Sequence, residues 1–579
     1  MAEEQRRSSE TPESAAAGGI QGASVEGAAC VGSESSPVPS APGASSDASP
    51  APGRIEPTPV NPAPEPVPSV FIDEVHGHLR RYRKVVEFTH SATRAAGIML
   101  LAAIAAIAIA NSGVYEGFLG LIAQPVGVIA GQWSATMSVS HVINDILMAV
   151  FFLLVGLEIK YEMTVGELTN IRQALLPIVA ACGGVLVPIA IYSAFNAGDP
   201  ATSHGWGVPT ATDIAFALGI MALLGDRIPS GVRVFLSTLA VADDIIAIIV
   251  IAVFYGHSPD PVYVAAAALV YAGLILMNRS HVYSTAPYLL AGGVLWLFVF
   301  LSGVHSTIAG VLLAFVIPSG SRINLSQFAK WTRTTLKKAD DNFEPNEPVI
   351  GQKDYITDVS RVAKVARQVV PPATRLEHRL YPWVYFAILP LFALTNADVS
   401  LVGVDANELV GSTIFFGVFF GLLVGKPVGI MLFSAIVVKT GLASLPENVN
   451  WRHMLGAAIL GGVGFTMAIF VANLAFETEA AVTTAKAAIL AASALAGVIG
   501  FGVLLLEARA DANRGVAYVR ASSGENLSYA DEEGCQASEE TIDELDDESR
   551  SLLDLARLSE RPREIVAHLR DWAIRDKKE

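Results

Sequence analysis

Apolar residues in this 579-residue chain gather into long runs, not into the period-2 or 3.6-residue patterns of soluble strands and amphipathic helices. Runs of about 17–25 residues are what a helix needs to cross a hydrocarbon layer roughly 30 Å thick. Twelve such runs can be counted, at 95–111, 139–160, 172–195, 207–224, 229–255, 261–277, 286–301, 303–318, 382–396, 412–438, 453–475 and 483–506. Backbone amides in lipid must be satisfied within their own segment, so each run predicts a helix. The expected fold class is therefore an all-α polytopic membrane protein with twelve transmembrane helices. Between the seventh and eighth runs only Ser302 and Gly303 signal a break.

Two runs are interrupted. The fourth carries Pro209-Thr-Ala-Thr212-Asp213, where proline removes a donor, threonines can satisfy freed carbonyls and an acid sits at membrane depth. The eleventh carries Gly456, Gly461, Gly462, Gly464 and Thr466, more glycine than packing alone asks for. Each is the middle member of a triplet, 172–255 and 412–506. Paired interruptions at corresponding positions point to inverted repeats with two discontinuous crossing helices and a binding site near the midplane.

Composition places the charge elsewhere. Mean hydropathy is +0.47 and only 16% of residues are charged, well under the roughly 25% of soluble domains. The net charge of −16 resolves into −6 on residues 1–70, −8 on residues 507–579 and −2 on the rest. Residues 1–85 read as a disordered Pro/Ala/Ser-rich tail, since 12 of the 31 prolines fall before residue 71. Residues 86–506 form the spanning domain, with a long loop at 319–381 expected to be a solvated insertion. Residues 507–579 read as an acidic tail whose stretch Asp531–Glu548 precedes a short amphipathic helix. No signal peptide is legible; the first spanning helix serves for insertion. Cys30, Cys182 and Cys535 are too scattered for a disulfide framework or a metal site.

Orientation follows from basic residues. Of 24 in the loops between residues 71 and 506, 23 fall before the first run or in even-numbered loops, and only Lys486 falls on the other side. That bias predicts cytoplasmic N- and C-termini. The loop 112–138 is then external and long enough for a β-hairpin.

The chemistry lies in the few charges inside the runs. Asp243 and Asp244 stand mid-run in the fifth, where each costs about 2.5–3.5 kcal/mol and the two repel one another. Such a pair can hold a proton or a cation, the chemistry of a proton-coupled cation transporter. Lys426, in the tenth run, requires an acidic partner or helix carbonyls, and a purely structural salt bridge is its plain alternative. Asp145 in the second run reads either as a further functional acid or as a polar packing residue. Glu158, Lys160 and Glu162, with Glu377 and His378 across the long loop, stand at the cytoplasmic edge, and His305 opens the eighth run. These groups could sense proton concentration or simply anchor the edge.

The strings NDILMAVFFLLVGLEIK, PTATDIAFALG, ADDIIAIIVIAVFY, SGVHSTIAG, LEHRLYPWVYFAILPLFALTNA, GLLVGKPVGI and GGVGFTMAIF resemble, in order, the signatures of the NhaA family of bacterial Na+/H+ antiporters, over about residues 90–506. The resemblance implies electrogenic export of Na+ or Li+ in exchange for imported H+ by alternating access across the bacterial inner membrane. It implies that Asp243 and Asp244 bind Na+ and H+, that Lys426 partners Asp243, and that Thr212 and Asp213 sit at the helix crossing. It implies pH sensing through Glu158, Glu162, Glu377, His378 and His305, and a homodimer joined through hairpin 112–138. Tyr161 and Tyr381 depart from the family pattern, where an arginine and a second histidine are common. No cofactor, enzymatic activity or nucleic-acid partner is implied, and partners of the tails stay unknown. Two other classes fit less well. An intramembrane aspartyl protease needs its acids on separate helices, and a channel needs a filter that no repeat here supplies.

Overall fold

The computed structural model describes residues 91–514 together with 86, 88 and 89, apart from 131, 132, 170, 257, 258, 322, 401–410 and 447. The proline-rich tail to residue 85, the acidic stretch Asp531–Glu548 and the amphipathic helix expected after it lie outside the described residues.

The chain opens with α1 (Ala92–Ala110), α2 (Tyr115–Ile122) and a hairpin of β1 (Pro125–Ala130) and β2 (Trp133–Ser138). The strands are antiparallel, with Pro125 opposite Ser138 and Ala130 opposite Trp133. Next come α3 (Val139–Thr164), α4 (Ile171–Asn196), α5 (Ile214–Ala222), α6 (Ser230–Phe254), α7 (Pro261–Arg279), α8 (Thr285–Leu301) and α9 (Ile308–Val316). The long loop contains α10 (Leu325–Asp341) and α11 (Lys353–Val369). Then follow α12 (Pro372–Trp383), α13 (Leu389–Asn396), α14 (Thr413–Lys439), α15 (Trp451–Gly461), α16 (Phe465–Ala475) and α17 (Glu479–Asn513).

Every expected run contains helix. Among the described residues, seven helices (α1, α3, α4, α6, α7, α14 and α17) are long and apolar enough to cross a membrane, and α15 with α16 passes the same test as a pair bent by 44°. The eighth run differs from its expected bounds of 303–318, because helix begins only at Ile308. Residues 302–307 form a turn in which Gly303 takes φ +79, a conformation that a side chain would strain. The long loop is not open coil. Phe343, just past α10, packs on Tyr355 of α11 with ring centroids 5.2 Å apart, and the Gln352 amide spans the connection by bonding the carbonyls of Glu344 and Glu347.

Three helices contain a π-helical stretch, at Val142–Leu147, Val384–Ile388 and Gly421–Gly425. Each lies beside a polar residue of interest: Asp145, Tyr385 and Lys426 respectively. An extra residue per turn re-aims the following side chain, which is why such bulges gather at working sites.

The two repeats meet along a glycine seam between α4 and α14. A Cβ on Gly429 would fall 2.6 Å from the carbonyl carbon of Gly183, so the backbones touch. Without a hydrophobic drive between helices in lipid, such close approach is the main source of association. Around the seam, buried Ala211, Leu422, Val463 and Ala468 enclose the place where the interrupted helices cross.

Candidate functional site

The crossing is built from two broken helices. In the first repeat a 3-10 turn, His204–Thr210, ends at Ala211, whose backbone is extended, and α5 begins three residues later. In the second, α15 stops at Gly461 and α16 starts at Phe465. The break in the first falls just after Pro209, which itself lies within the 3-10 turn. In the second, the glycines serve proximity: a Cβ on Gly462 would lie 2.6 Å from the carbonyl oxygen of Leu422, and one on Gly464 would lie 3.0 Å from that of Ala211. Asp213 N–H donates to Val463 O at 2.8 Å, stitching the two breaks together.

Broken helices expose unpaired N–H groups and carbonyls at membrane depth, and with them partial charges. Asp213, 2% exposed, answers both N-termini with one carboxylate. Its Oδ1 accepts from Phe216 N–H of α5 at 3.0 Å, while its Oδ2 accepts from Thr466 N–H of α16 at 3.1 Å and from the Thr466 hydroxyl at 2.5 Å. At the start of α16, the N–H groups of Gly464 and Phe465 donate to the buried Ser493 hydroxyl of α17 at 3.3 and 3.2 Å. Ser493 carried no signal in the sequence, since a serine in an Ala-rich helix reads as filler.

Across the crossing stands the opposite charge. Lys426, 1% exposed, lies 2.6 Å from Asp243 Oδ2 and also donates to the Thr212 hydroxyl. Thr212 Oγ1 lies 2.5 Å from the same Asp243 oxygen and 3.1 Å from Gly461 O at the end of α15. Asp243 Oδ1 is buried with no hydrogen-bond partner. Asp244, 3% exposed, has no hydrogen-bond or ion-pair partner among the described residues. The charges acting on it most strongly are Asp243, then Glu158, Lys426 and Asp213. One carboxylate of the pair is thus tied to a lysine, and the other is bare and surrounded mostly by negative charge.

The remaining candidates divide. Glu158 on α3 sits between Asp244 and the edge: the Tyr385 hydroxyl donates to its Oε1 at 3.4 Å, and Glu377 and Glu162 act on it electrostatically. Tyr385 packs on Tyr381 with ring centroids 4.4 Å apart. Glu377 on α12, N-terminal to the expected run 382–396, is half-buried, and that burial pushes its carboxyl from about 4.5 up to about 7. His378 beside it is exposed. His305 is not in this group; it lies at the start of the turn before α9, its ring 5.7 Å from that of Phe470 on α16. Asp145 accepts from Ser306 at 3.1 Å in the same region, apart from the charges that act on Asp244. Lys160 is not a free anchor: its ammonium caps α9, donating to Phe315 O at 2.9 Å and to Ile317 O.

Residues 86–504 match the family model described as Na+/H+ antiporter 1. Among curated proteins, the Na(+)/H(+) antiporter NhaA of Acidithiobacillus ferrooxidans is 45% identical over 72% of this chain and 95% of its own length. Those of Oleidesulfovibrio alaskensis and Wolinella succinogenes are 42% and 39% identical, over 76% and 73% of this chain and 95% and 93% of theirs. Among solved structures, the sodium proton antiporter MjNhaP1 from Methanocaldococcus jannaschii aligns over 76% of this chain at 12% identity and a TM-score of 0.33, a likeness too slight to carry an argument.

Proposed function

Because the chain belongs to the Na+/H+ antiporter family and is a multi-pass membrane protein that exchanges sodium for protons, we propose that both ions compete for Asp244 and Asp243, with Lys426, Thr212 and Asp213 in support. The observation that carries this reading is the asymmetry of the acidic pair: a buried, unpartnered Asp244 beside an Asp243 bound to Lys426 and Thr212.

An isolated charge at this depth is expensive, so Asp244 is either protonated or bound to a cation. Arrival of Na+ displaces the proton of Asp244 and weakens the hold of Asp243 on Lys426, because the cation and the ammonium share the same acidic neighbourhood. Release of Na+ restores the proton and the Lys426 pair. Asp213 and Lys426 neutralise the broken-helix ends in both loadings, so the crossing can move as a unit. Movement of the two repeats against the other helices then presents the site to one side at a time.

Glu158, Glu162 and Glu377, with His378 exposed alongside, form the pH-responsive edge on the side carrying α10 and α11, which is cytoplasmic. The hairpin side is external, and the hairpin joins two copies into a dimer in the bacterial inner membrane. His305 and Asp145 lie nearer the hairpin side and support packing there. The protein works as a transporter with no cofactor, its cargo being Na+, Li+ and H+.

In proteoliposomes with an imposed pH gradient, added Na+ collapses the gradient, read by dequenching of a pH dye. Asp244→Asn should reduce that response at least about 100-fold, the equivalent of roughly 3 kcal/mol in the transport step. An undiminished response would remove Asp244 from the mechanism.

A further inference from the structure

The one basic residue on the external side of the charge count, Lys486, has a half-buried partner. Its ammonium lies 2.8 Å from Asp398 Oδ1, with the two side chains 11% and 13% exposed. The other oxygen of Asp398 accepts from the Tyr115 hydroxyl of α2 at 3.2 Å. Burial, and then the negative charge of Asp398, push that hydroxyl up to about 12, so it remains a donor at any physiological pH.

Neighbouring residues make the same kind of bridge. The Asn396 amide donates to Asn144 Oδ1 at 2.8 Å and accepts from Asn473 Nδ2 at 2.9 Å. Asn111 Nδ2 donates to Val399 O at 2.9 Å. The short segment 396–399 is therefore bonded to α2, to α3 and to the residue that ends α1, and equally to α16 and α17. Of these, α16 and α17 belong to the second inverted repeat, and the others lie outside both repeats. If the repeats move against the rest of the molecule, these bonds cannot all survive in both end states.

We propose that segment 396–399 is a latch that holds the hairpin side closed, and that rupture of the Lys486–Asp398 pair accompanies opening on that side. The proposal rests on the alternating-access reading above, and its chemistry suits the task. A partly buried ion pair is costly to leave half-made, so the latch favours two defined states over a continuum. It sits near a cavity of about 980 Å³ lined by Tyr255, Phe476, Glu477, Thr478 and Thr484, whose rim at Glu477 and Thr478 is already exposed and whose depth opening on the hairpin side would increase.

The test uses the full chain with Cys30, Cys182 and Cys535 replaced by serine and a single cysteine placed by Thr484→Cys. Labelling by a membrane-impermeant methanethiosulfonate is timed in vesicles of both orientations. Lys486→Met and Asp398→Asn should each raise the labelling rate about threefold to tenfold, the scale of a partly exposed ion pair acting on a two-state equilibrium. Lys486→Arg, which keeps the pair, should stay at the parent rate, and the charge swap Asp398→Lys with Lys486→Asp should return toward it. Unchanged labelling in both neutral variants, or a swap no better than the singles, overturns the latch. Labelling from the opposite vesicle face would instead overturn only the assignment of the hairpin side as external. Retained exchange in Asp244→Asn would overturn the site and leave the latch to stand on its labelling data.

Discussion

Asp213 shows how one side chain can serve two helices. Its carboxylate accepts from the N-termini of both α5 and α16, so the positive ends of two broken helices share one negative charge. A buried carboxyl at membrane depth was legible in the sequence because such residues are rare; that it faces two helix ends at once depends on the crossing. Ser493 completes the capping of α16. Ser493→Ala would strand the N–H groups of Gly464 and Phe465 in a dry interior, at a cost of about 1–3 kcal/mol for each unsatisfied donor. The expected outcome is a lower melting temperature in detergent and a weaker apparent affinity for Na+; an unaltered melting curve would show that these donors find another acceptor. Glu377 gives a prediction in pH. Its folded carboxyl titrates near 7 and its ordinary value is about 4.5, so between these values the folded chain holds a proton that an unfolded one has released. Stability then falls as pH rises through that window. Glu377→Gln should flatten this part of the melting temperature against pH, and a preserved slope would exclude the residue as its source.

At the scale of elements, length and apolarity marked out the helices well, while their internal breaks were read less finely. Pro209 drew attention to the fourth run, but the extended residues are Ala211 to Asp213, because the chain first tightens into a 3-10 turn that accommodates the proline. The glycines of the eleventh run were legible as unusual; their reason, contact with the carbonyls of Leu422 and Ala211, was not. The seam of α4 and α14 was invisible, since Gly183 and Gly429 are 246 positions apart in sequence. Gly429→Val should be severely destabilising, by about 3 kcal/mol or more, since its Cβ would strike the Gly183 carbonyl. Gly97→Ala on α1, where a Cβ meets nothing within 4 Å, is the matched control, and equal melting temperatures for the two would refute the seam. The end of α17 matters likewise. Asp511, nearly buried, lies 3.1 Å from the fully buried His453, and Glu507 receives Asn450, Arg452 and Arg514. Truncation after Leu506 should lower the melting temperature sharply relative to truncation after Arg514, because it takes Asp511 from His453 and Glu507 from Asn450 and Arg452.

For the whole molecule, the charge of −16 belongs mostly to the two ends of the sequence. Fourteen of its units belong to residues 1–70 and 507–579, and the spanning part is close to neutral. Within the second of these segments, Glu507 and Asp511 belong to the folded helix α17, so the expected acidic tail does not begin at residue 507. The sequence by itself determined the class of molecule, the number of apolar runs, the asymmetry of basic residues and the identity of the few acids and the lysine at depth. These are legible because lipid penalises charge and unpaired backbone so heavily that each exception stands out locally. Only the tertiary structure decided which acid holds Lys426, which stays bare, which serine caps α16 and what Lys486 grips. Those are distances between residues tens to hundreds of positions apart, and no local rule of hydropathy or propensity contains them.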